Sequence, residues 1–198
     1  MAVLRQHCPW DAEQTHRSLV QYLVEEALET VEAIESGDEP HLREELGDLL
    51  LQVVFHAEIS ASFDLDDIAG GIADKLVSRH PHVFVPAGGA GQVEKVPADL
   101  HHTWEQRKAV EKGRTSALQG IPEQMSALAR AHKIIGRARS RRVELGLPDE
   151  PVEADALGRE VVALVARAQA HGIDPEQAVR DAVRQLEQQV RTVEGRGA

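Results

Sequence analysis

Glu26 and Glu29 stand three residues apart, and so do Glu45 and Asp48. Gly37 lies midway, eight residues from Glu29 and Glu45 and eleven from Glu26 and Asp48. Side chains at i and i+3 share one face of a helix. Two antiparallel helices turning near Gly37 would therefore carry both pairs to one height, about 12–16 Å from the turn at 1.5 Å rise per residue. Converging carboxylates repel one another, so such a cluster calls for cations. Hard oxygen ligands of this kind suit Mg²⁺.

The elements that must position these groups are legible along the chain. Residues 1–14 read as an irregular arm holding Cys8-Pro9-Trp10-Asp11. Thr15 or His16 opens a helix to about Ser36, with Leu19, Leu23, Ala27, Val31 and Ile34 at helical spacing. Ser36-Gly37-Asp38-Glu39-Pro40 is a turn: a helix-stopping glycine, then a proline suited to a helix start. The second helix spans about Pro40–Ala61. Its stretch from Leu46 to Phe55 is apolar nearly all round, which predicts the most buried helix of the chain. Asp64 is placed to cap a third helix ending near Ser78. Residues 85–98, with three glycines and two prolines, read as a surface loop. Further helices are expected at about 100–112, 122–145, 153–171 and 175–193. No stretch makes a convincing strand, so the expected fold is all-α: a helical bundle built around the acidic hairpin, with additional carboxy-terminal helices.

Bulk composition agrees. With aromatic residues at 3% and Ala, Leu, Val, Glu and Arg dominant, the 198-residue chain favours helix over sheet. Its formal net charge of −11 argues against a general nucleic-acid binder, because no excess of positive charge exists to neutralise phosphates. A nucleotide arriving with Mg²⁺ remains compatible. Cys8 is the only cysteine, so no internal disulfide can form, as suits a reducing cytoplasm. The first ten residues lack the apolar core of a signal peptide, and no apolar run reaches the roughly 18 residues needed to span a bilayer. A soluble, cytoplasmic protein is the expectation.

Residues 25–48 hold ten acidic side chains and one arginine, Arg43. A solvated helix face accounts for Glu32, Glu35 and Glu39. It accounts less well for Glu26, Glu29, Glu45 and Asp48, which neighbour the most apolar stretch of the chain and there need partners or metal. A di-iron bundle is a rival, but it wants a Glu-x-x-His on each of two helices, and only Glu13-Gln-Thr-His16 fits. A non-catalytic helical interaction or regulatory module that keeps the acidic hairpin for structure is the other alternative.

Cys8-Pro-Trp-Asp-Ala-Glu-Gln-Thr-His16, Glu25-Glu-Ala-Leu-Glu29 and Glu44-Glu-Leu-Gly-Asp-Leu-Leu-Leu-Gln-Val53 together resemble the MazG nucleoside triphosphate pyrophosphohydrolases. Arg79-His-Pro-His-Val-Phe84 and Trp104-Glu-Gln-Arg-Lys108 fit the same family, so the resemblance covers about residues 5–135 in order. It implies an all-α fold, a Mg²⁺-dependent site with Mn²⁺ as a possible substitute, and hydrolysis of an NTP or dNTP to the monophosphate and pyrophosphate. It makes Glu26, Glu29, Glu45 and Asp48 the metal ligands. Glu25, four residues before Glu29, could orient or deprotonate the attacking water. Lys75 and Arg79 share a helix face, where two solvated charges would be the ordinary explanation; the resemblance makes them the nucleotide-contacting basic pair. Lys108, and less so Lys112, repeat that spacing. Trp104 matches a position near the base, where stacking tolerates any sequence, whereas Trp10 reads as a packing anchor for the amino-terminal arm. His80 and His82 read as helix caps before phosphate contacts. The run Arg137-Ala-Arg-Ser-Arg-Arg142 is most simply a solvated helix face. A homodimer is expected, partly from the resemblance and partly because the apolar second helix needs cover on several sides.

A worn internal copy follows. Leu157-Gly-Arg-Glu-Val-Val-Ala-Leu-Val165 resembles Leu46-Gly-Asp-Leu-Leu-Leu-Gln-Val-Val54, and the shared Leu-Gly sets Ala156 opposite Glu45 and Arg159 opposite Asp48. Both ligand positions are lost there, and Arg184 and Gln188 stand where Lys75 and Arg79 stand in the first copy. The chain thus reads as a catalytic helical domain over 1–145 and a degenerate remnant of a second repeat over 146–198, with one working site.

Overall fold

A computed structural model describes residues 1–80, 83–85, 89–90 and 111–196. The chain forms two compact units, Met1–Val93 and Glu94–Ala198. The division falls well before residue 145, because the helix that follows residue 126 packs with the last helix of the chain.

The first unit opens with two short helices, α1 (Ala2–His7) and α2 (Pro9–Glu13). The arm is therefore ordered rather than irregular. Trp10 meets the edges of Tyr22 and Phe55 at ring-centroid distances of 5.9 and 6.4 Å. Arg5 lies over the Phe55 ring and donates to the carbonyls of Asp11 and Gln14. Trp10 thus anchors the arm, as its sequence context suggests; local periodicity could not show how much order that anchor imposes.

Residues 16–19 form a turn, and α3 spans Val20–Ser36. Gly37 closes it at φ 72°, a left-handed conformation that glycine adopts without steric cost. Asp38 then caps α4 (Glu39–Ile59) by accepting a hydrogen bond from the His41 backbone N–H at 3.1 Å, with Pro40 in the first turn. Only Gly37 and Asp38 link the helices, so α4 folds straight back along α3, the most extensive helix pairing of the unit.

The burial of α4 differs from expectation. Its inward face is Glu45, Gln52, Phe55 and Ala57, while Leu46, Leu50 and Leu51 are roughly half exposed in the single chain. Leu28, Val31 and Ile34 of α3 are likewise exposed. The apolar stretch is hydrophobic all round, but α3 covers only one side of it.

α5 (Leu65–Arg79) starts in a reciprocal capping box: Asp64 accepts from the Asp67 backbone N–H, and Asp67 accepts from that of Asp64. His80 closes it, its ring Nδ1–H donating to the Leu76 carbonyl at 2.7 Å. A two-residue antiparallel ladder follows, β1 (Phe84–Val85) with β2 (Gly89–Ala90), pairing Phe84 with Ala90 and Val85 with Gly89. It is the strand element the sequence does not announce, and it leaves the class all-α. Most of the glycine-rich stretch 85–98, the expected helix at 100–112 up to residue 110, and His82 lie outside the described residues.

The second unit holds α6 (Ala127–Ser140), α7 (Ala154–Ala170) and α8 (Pro175–Arg196). Its core joins Ala117 and Ile121 to Ile134 and Ala138 of α6 and Val183 and Val190 of α8. α6 begins at Ala127 rather than Pro122, because the Ser126 hydroxyl caps it and Glu176 of α8 accepts from the Ala127 N–H at 3.0 Å. It ends at Ser140 rather than Leu145, where Arg142 turns left-handed at φ 58°. The run 137–142 is a solvated face only in part, at Arg139 and Arg142. Arg137 is buried and donates to the carbonyls of Ala117 and Gln119, and Arg141 donates to that of Arg114. Among the described residues, no helix is long and apolar enough to cross a membrane.

Candidate metal centre

The hairpin brings the two acidic pairs together because three features coincide: pairs at i, i+3, a link of two residues, and equal arms on either side. Glu26, Glu29 and Glu45 each offer a carboxylate oxygen, and these oxygens all lie within 4.8 Å of one another. Octahedral Mg²⁺ binds oxygens at about 2.0–2.1 Å, so trans ligands stand about 4 Å apart. The three oxygens therefore need only a small side-chain adjustment to share one ion, and their chemistry is that of a hard-cation site. Among the described residues this is the one group of three or more such side chains, and it contains no histidine.

Asp48 is not part of that three-residue group. It is nonetheless close enough to act on it. Burial raises the Glu26 pKa above the ordinary carboxylate value, and the Asp48 charge is the next largest cause, ahead of Glu29, Glu45 and Glu25. Each of these neighbours pushes the same way, so Glu26 resists ionisation until a cation offsets the charge. Burial grades across it, with Glu45 buried, Glu26 and Asp48 half-buried, and Glu29 and Glu25 exposed.

Of two α4 residues that sequence reasoning passed over, His41 touches this cluster and Gln52 is buried one turn beyond Asp48. His41 Nε2 lies 2.9 Å from Glu45 Oε1. Spacing at i, i+4 in the α4 sequence was the available signal. Gln52 is 5% exposed, and among the described residues its side-chain oxygen, sealed from solvent, meets no hydrogen-bond donor. Its place one turn beyond Asp48 was visible, but its burial was not.

The other expected site residues are less gathered. Lys75 is exposed and Arg79 half-buried on α5, and Lys112 is exposed in the second unit. Trp104 and Lys108 lie outside the described residues. His16, the histidine of the rival Glu-x-x-His, stacks on His56 of α4, with centroids 5.1 Å apart and Nδ1 to Nδ1 2.8 Å. Its ring is thus committed to another histidine. In the second unit Arg159, opposite Asp48 in the internal copy, forms an exposed ion pair with Asp155.

Residues 14–84 match the MazG nucleotide pyrophosphohydrolase domain. The chain is 33% identical over 210 residues to a nucleoside triphosphate pyrophosphohydrolase/pyrophosphatase MazG of Thermotoga maritima, covering 94% of this chain and 79% of that protein. It is 44% identical over 133 residues to a nucleoside triphosphate pyrophosphohydrolase of Escherichia coli, covering 64% of this chain but 49% of that protein. A Mycolicibacterium smegmatis nucleoside triphosphate pyrophosphohydrolase is 39% identical across 98% of this chain, which spans 57% of that protein. The chain is thus shorter than these relatives, spanning about half to four-fifths of their length.

Proposed function

The chain belongs to the MazG family, and on that premise we propose that it hydrolyses nucleoside or deoxynucleoside triphosphates to the monophosphate and pyrophosphate, with Mg²⁺ as cofactor. The observation that carries the reading is the gathering of Glu26, Glu29 and Glu45 oxygens within 4.8 Å on one hairpin. Mn²⁺ is the natural substitute, since it shares the preference for oxygen ligands.

In this reading Glu26, Glu29, Glu45 and Asp48 hold the cation. Bound there, it would neutralise phosphate charge, polarise phosphorus and make water a usable nucleophile near neutral pH. Glu25, exposed and one residue from Glu26, takes the proton as water adds to the α-phosphorus and the bond to the β-phosphate oxygen breaks. Lys75, Arg79 and Lys108 offset the charge of the phosphates, and Trp104 stacks on the base. Residues 146–198 serve as a shortened remnant of a second repeat that has no acidic pair at the ligand positions.

The active species is a cytoplasmic homodimer that binds nucleotide rather than nucleic acid. The exposed Leu28, Val31, Ile34, Leu46 and Leu50 on the hairpin support the dimer, because a patch of this kind is costly to leave in water. Clearing unwanted nucleotides or adjusting nucleotide pools is the purpose this chemistry serves. The decisive test is a panel of NTPs and dNTPs with Mg²⁺. Pyrophosphate should be released in step with the monophosphate. Release of orthophosphate instead, or no turnover on any triphosphate, would overturn the reading.

A further inference from the structure

In the second unit, the end of α6 and the segment after it form a cleft of about 530 Å³. Ile135, Val143, Leu145 and Leu147 give it an apolar lining, and Arg139 and Arg142 line it too. Clefts of this size hold small organic molecules. Cations near a helix C-terminus are ordinary, because they offset the helix dipole. That accounts for the basic last turn of α6, but not for Arg142. Its backbone stands at φ 58°, the left-handed conformation that glycine takes without cost, and among the described residues no other side-chain-bearing residue does so. Its side chain is exposed, and among the described residues its guanidinium makes no hydrogen bond or ion pair. A strained backbone that keeps an unengaged charge beside an apolar cleft points to a use for that charge. The surroundings suit an anion despite the net charge of −11, since no acidic residue lies between Glu123 and Glu144, where six lysine and arginine residues do. Glu144 also lines the cleft, exposed and, among the described residues, without a partner. Ionised, it only accepts hydrogen bonds. A ligand that satisfies the whole cleft therefore brings an anion, an apolar surface and a hydroxyl or amino donor.

We propose that this cleft binds a nucleotide, at a site of its own in the second unit. The phosphates meet Arg139 and Arg142, whose guanidinium groups match phosphate oxygens in a fork. The base lies on the apolar lining, and a ribose hydroxyl or base amine donates to Glu144. Aliphatic side chains cover a base without reading its edges, so the site separates nucleotide from bare phosphate more than one base from another. The choice of a nucleotide among organic anions rests on the reading above, which brings nucleoside phosphates to this protein; the shape and charge of the cleft do not. The second unit then has a binding role that the loss of its acidic pairs leaves intact.

The test uses the full chain carrying Glu45→Ala, in EDTA, so that metal-dependent binding at the hairpin is absent. ATP and inorganic pyrophosphate are titrated by calorimetry. ATP should bind, and pyrophosphate at least about tenfold more weakly, because it has no ring to bury on the apolar lining. Arg142→Gly and Arg139→Ala should each weaken ATP binding by about tenfold or more, the worth of a hydrogen bond to a charged group. Arg142→Gly should also melt at or above the temperature of its parent, since glycine relieves the left-handed turn. Should it not fold, Arg142→Asn, which tolerates that conformation, takes its place with the same expectations. Leu147→Ser should weaken ATP binding and leave pyrophosphate binding unchanged. ATP binding that neither arginine variant alters, pyrophosphate bound as tightly as ATP, or no ATP binding at millimolar concentration would overturn the proposal. So would a lowered melting temperature for the Arg142 variant, which marks an arginine that serves the turn alone. Turnover by the wild-type chain with Mg²⁺ is measured separately. ATP held in the cleft without turnover removes the hydrolytic reading alone, and turnover without ATP binding in EDTA removes this inference alone.

Discussion

His41 Nε2 lies 2.9 Å from Glu45 Oε1, so the most buried carboxylate of the acidic cluster holds a hydrogen-bond donor from its own helix. One Glu45 oxygen is thus engaged by the imidazole, in a carboxylate that neighbours those of Glu26 and Glu29.

Removing that contact should loosen the site without dismantling it. His41→Ala is expected to weaken Mn²⁺ binding about tenfold, at the low end for such supporting groups because His41 is itself substantially solvent-exposed. His41→Gln, which can still donate, should recover part of the loss. Calorimetric titration of both variants checks this.

Losing a carboxylate outright should matter more. Glu45→Ala and Asp48→Ala are each expected to lower pyrophosphate release by at least about 100-fold, a larger loss than that of a merely orienting group. Far-ultraviolet circular dichroism should show helical content nearly unchanged, since neither residue caps a helix. Full activity in either variant would remove that residue from the ligand set.

Acid should act through the histidine pair. Burial, and then the neighbouring His16, lower the His56 pKa below its ordinary 6.5. The unfolded chain therefore binds the proton more readily than the folded one. The associated stability is fully present above 6.5 and is lost as pH falls from there through the depressed folded value. The short Nδ1 to Nδ1 contact agrees in direction, because two protonated rings would set N–H against N–H. Urea unfolding between about pH 8 and about pH 5 should show this slope, and His56→Asn should flatten part of it.

Arg137 should prove structural. Its guanidinium is buried and donates to the Ala117 and Gln119 carbonyls, so Arg137→Met leaves those acceptors without a charged donor. A loss of about 2–3 kcal/mol is expected in urea unfolding. Arg139 donates to the Pro148 carbonyl from an exposed position, so Arg139→Ala should cost no more than about 0.5 kcal/mol.

The hairpin and its acidic pairs were legible because their signals are local. Gly37, Asp38 and Pro40 mark the turn within four residues, and each carboxylate pair needs only one helical turn to define its direction. The capping box at Asp64 was readable for the same reason. What depended on distant partners was not. The arm over 1–14 is ordered by Trp10 meeting Tyr22 and Phe55, residues far along the chain. The start of α6 is shared with Glu176, about fifty residues away, and the run 137–142 is turned inward by carbonyls of a segment near residue 117. Leu46–Phe55 shows a different limit: periodicity reports that a surface is apolar, not that anything within the same unit covers it. Gln52 shows the same limit, since its type and position were plain and its burial only a folded structure reveals.

The two-residue link at Gly37–Asp38 makes the hairpin a caliper with jaws of fixed length. One residue inserted into either arm would slide its acidic pair about 1.5 Å and swing it about 100° around the helix axis. Point substitutions along residues 30–44 leave the length of the jaws unchanged, whereas single insertions or deletions there would misalign them. The grip itself has no room for a change in length.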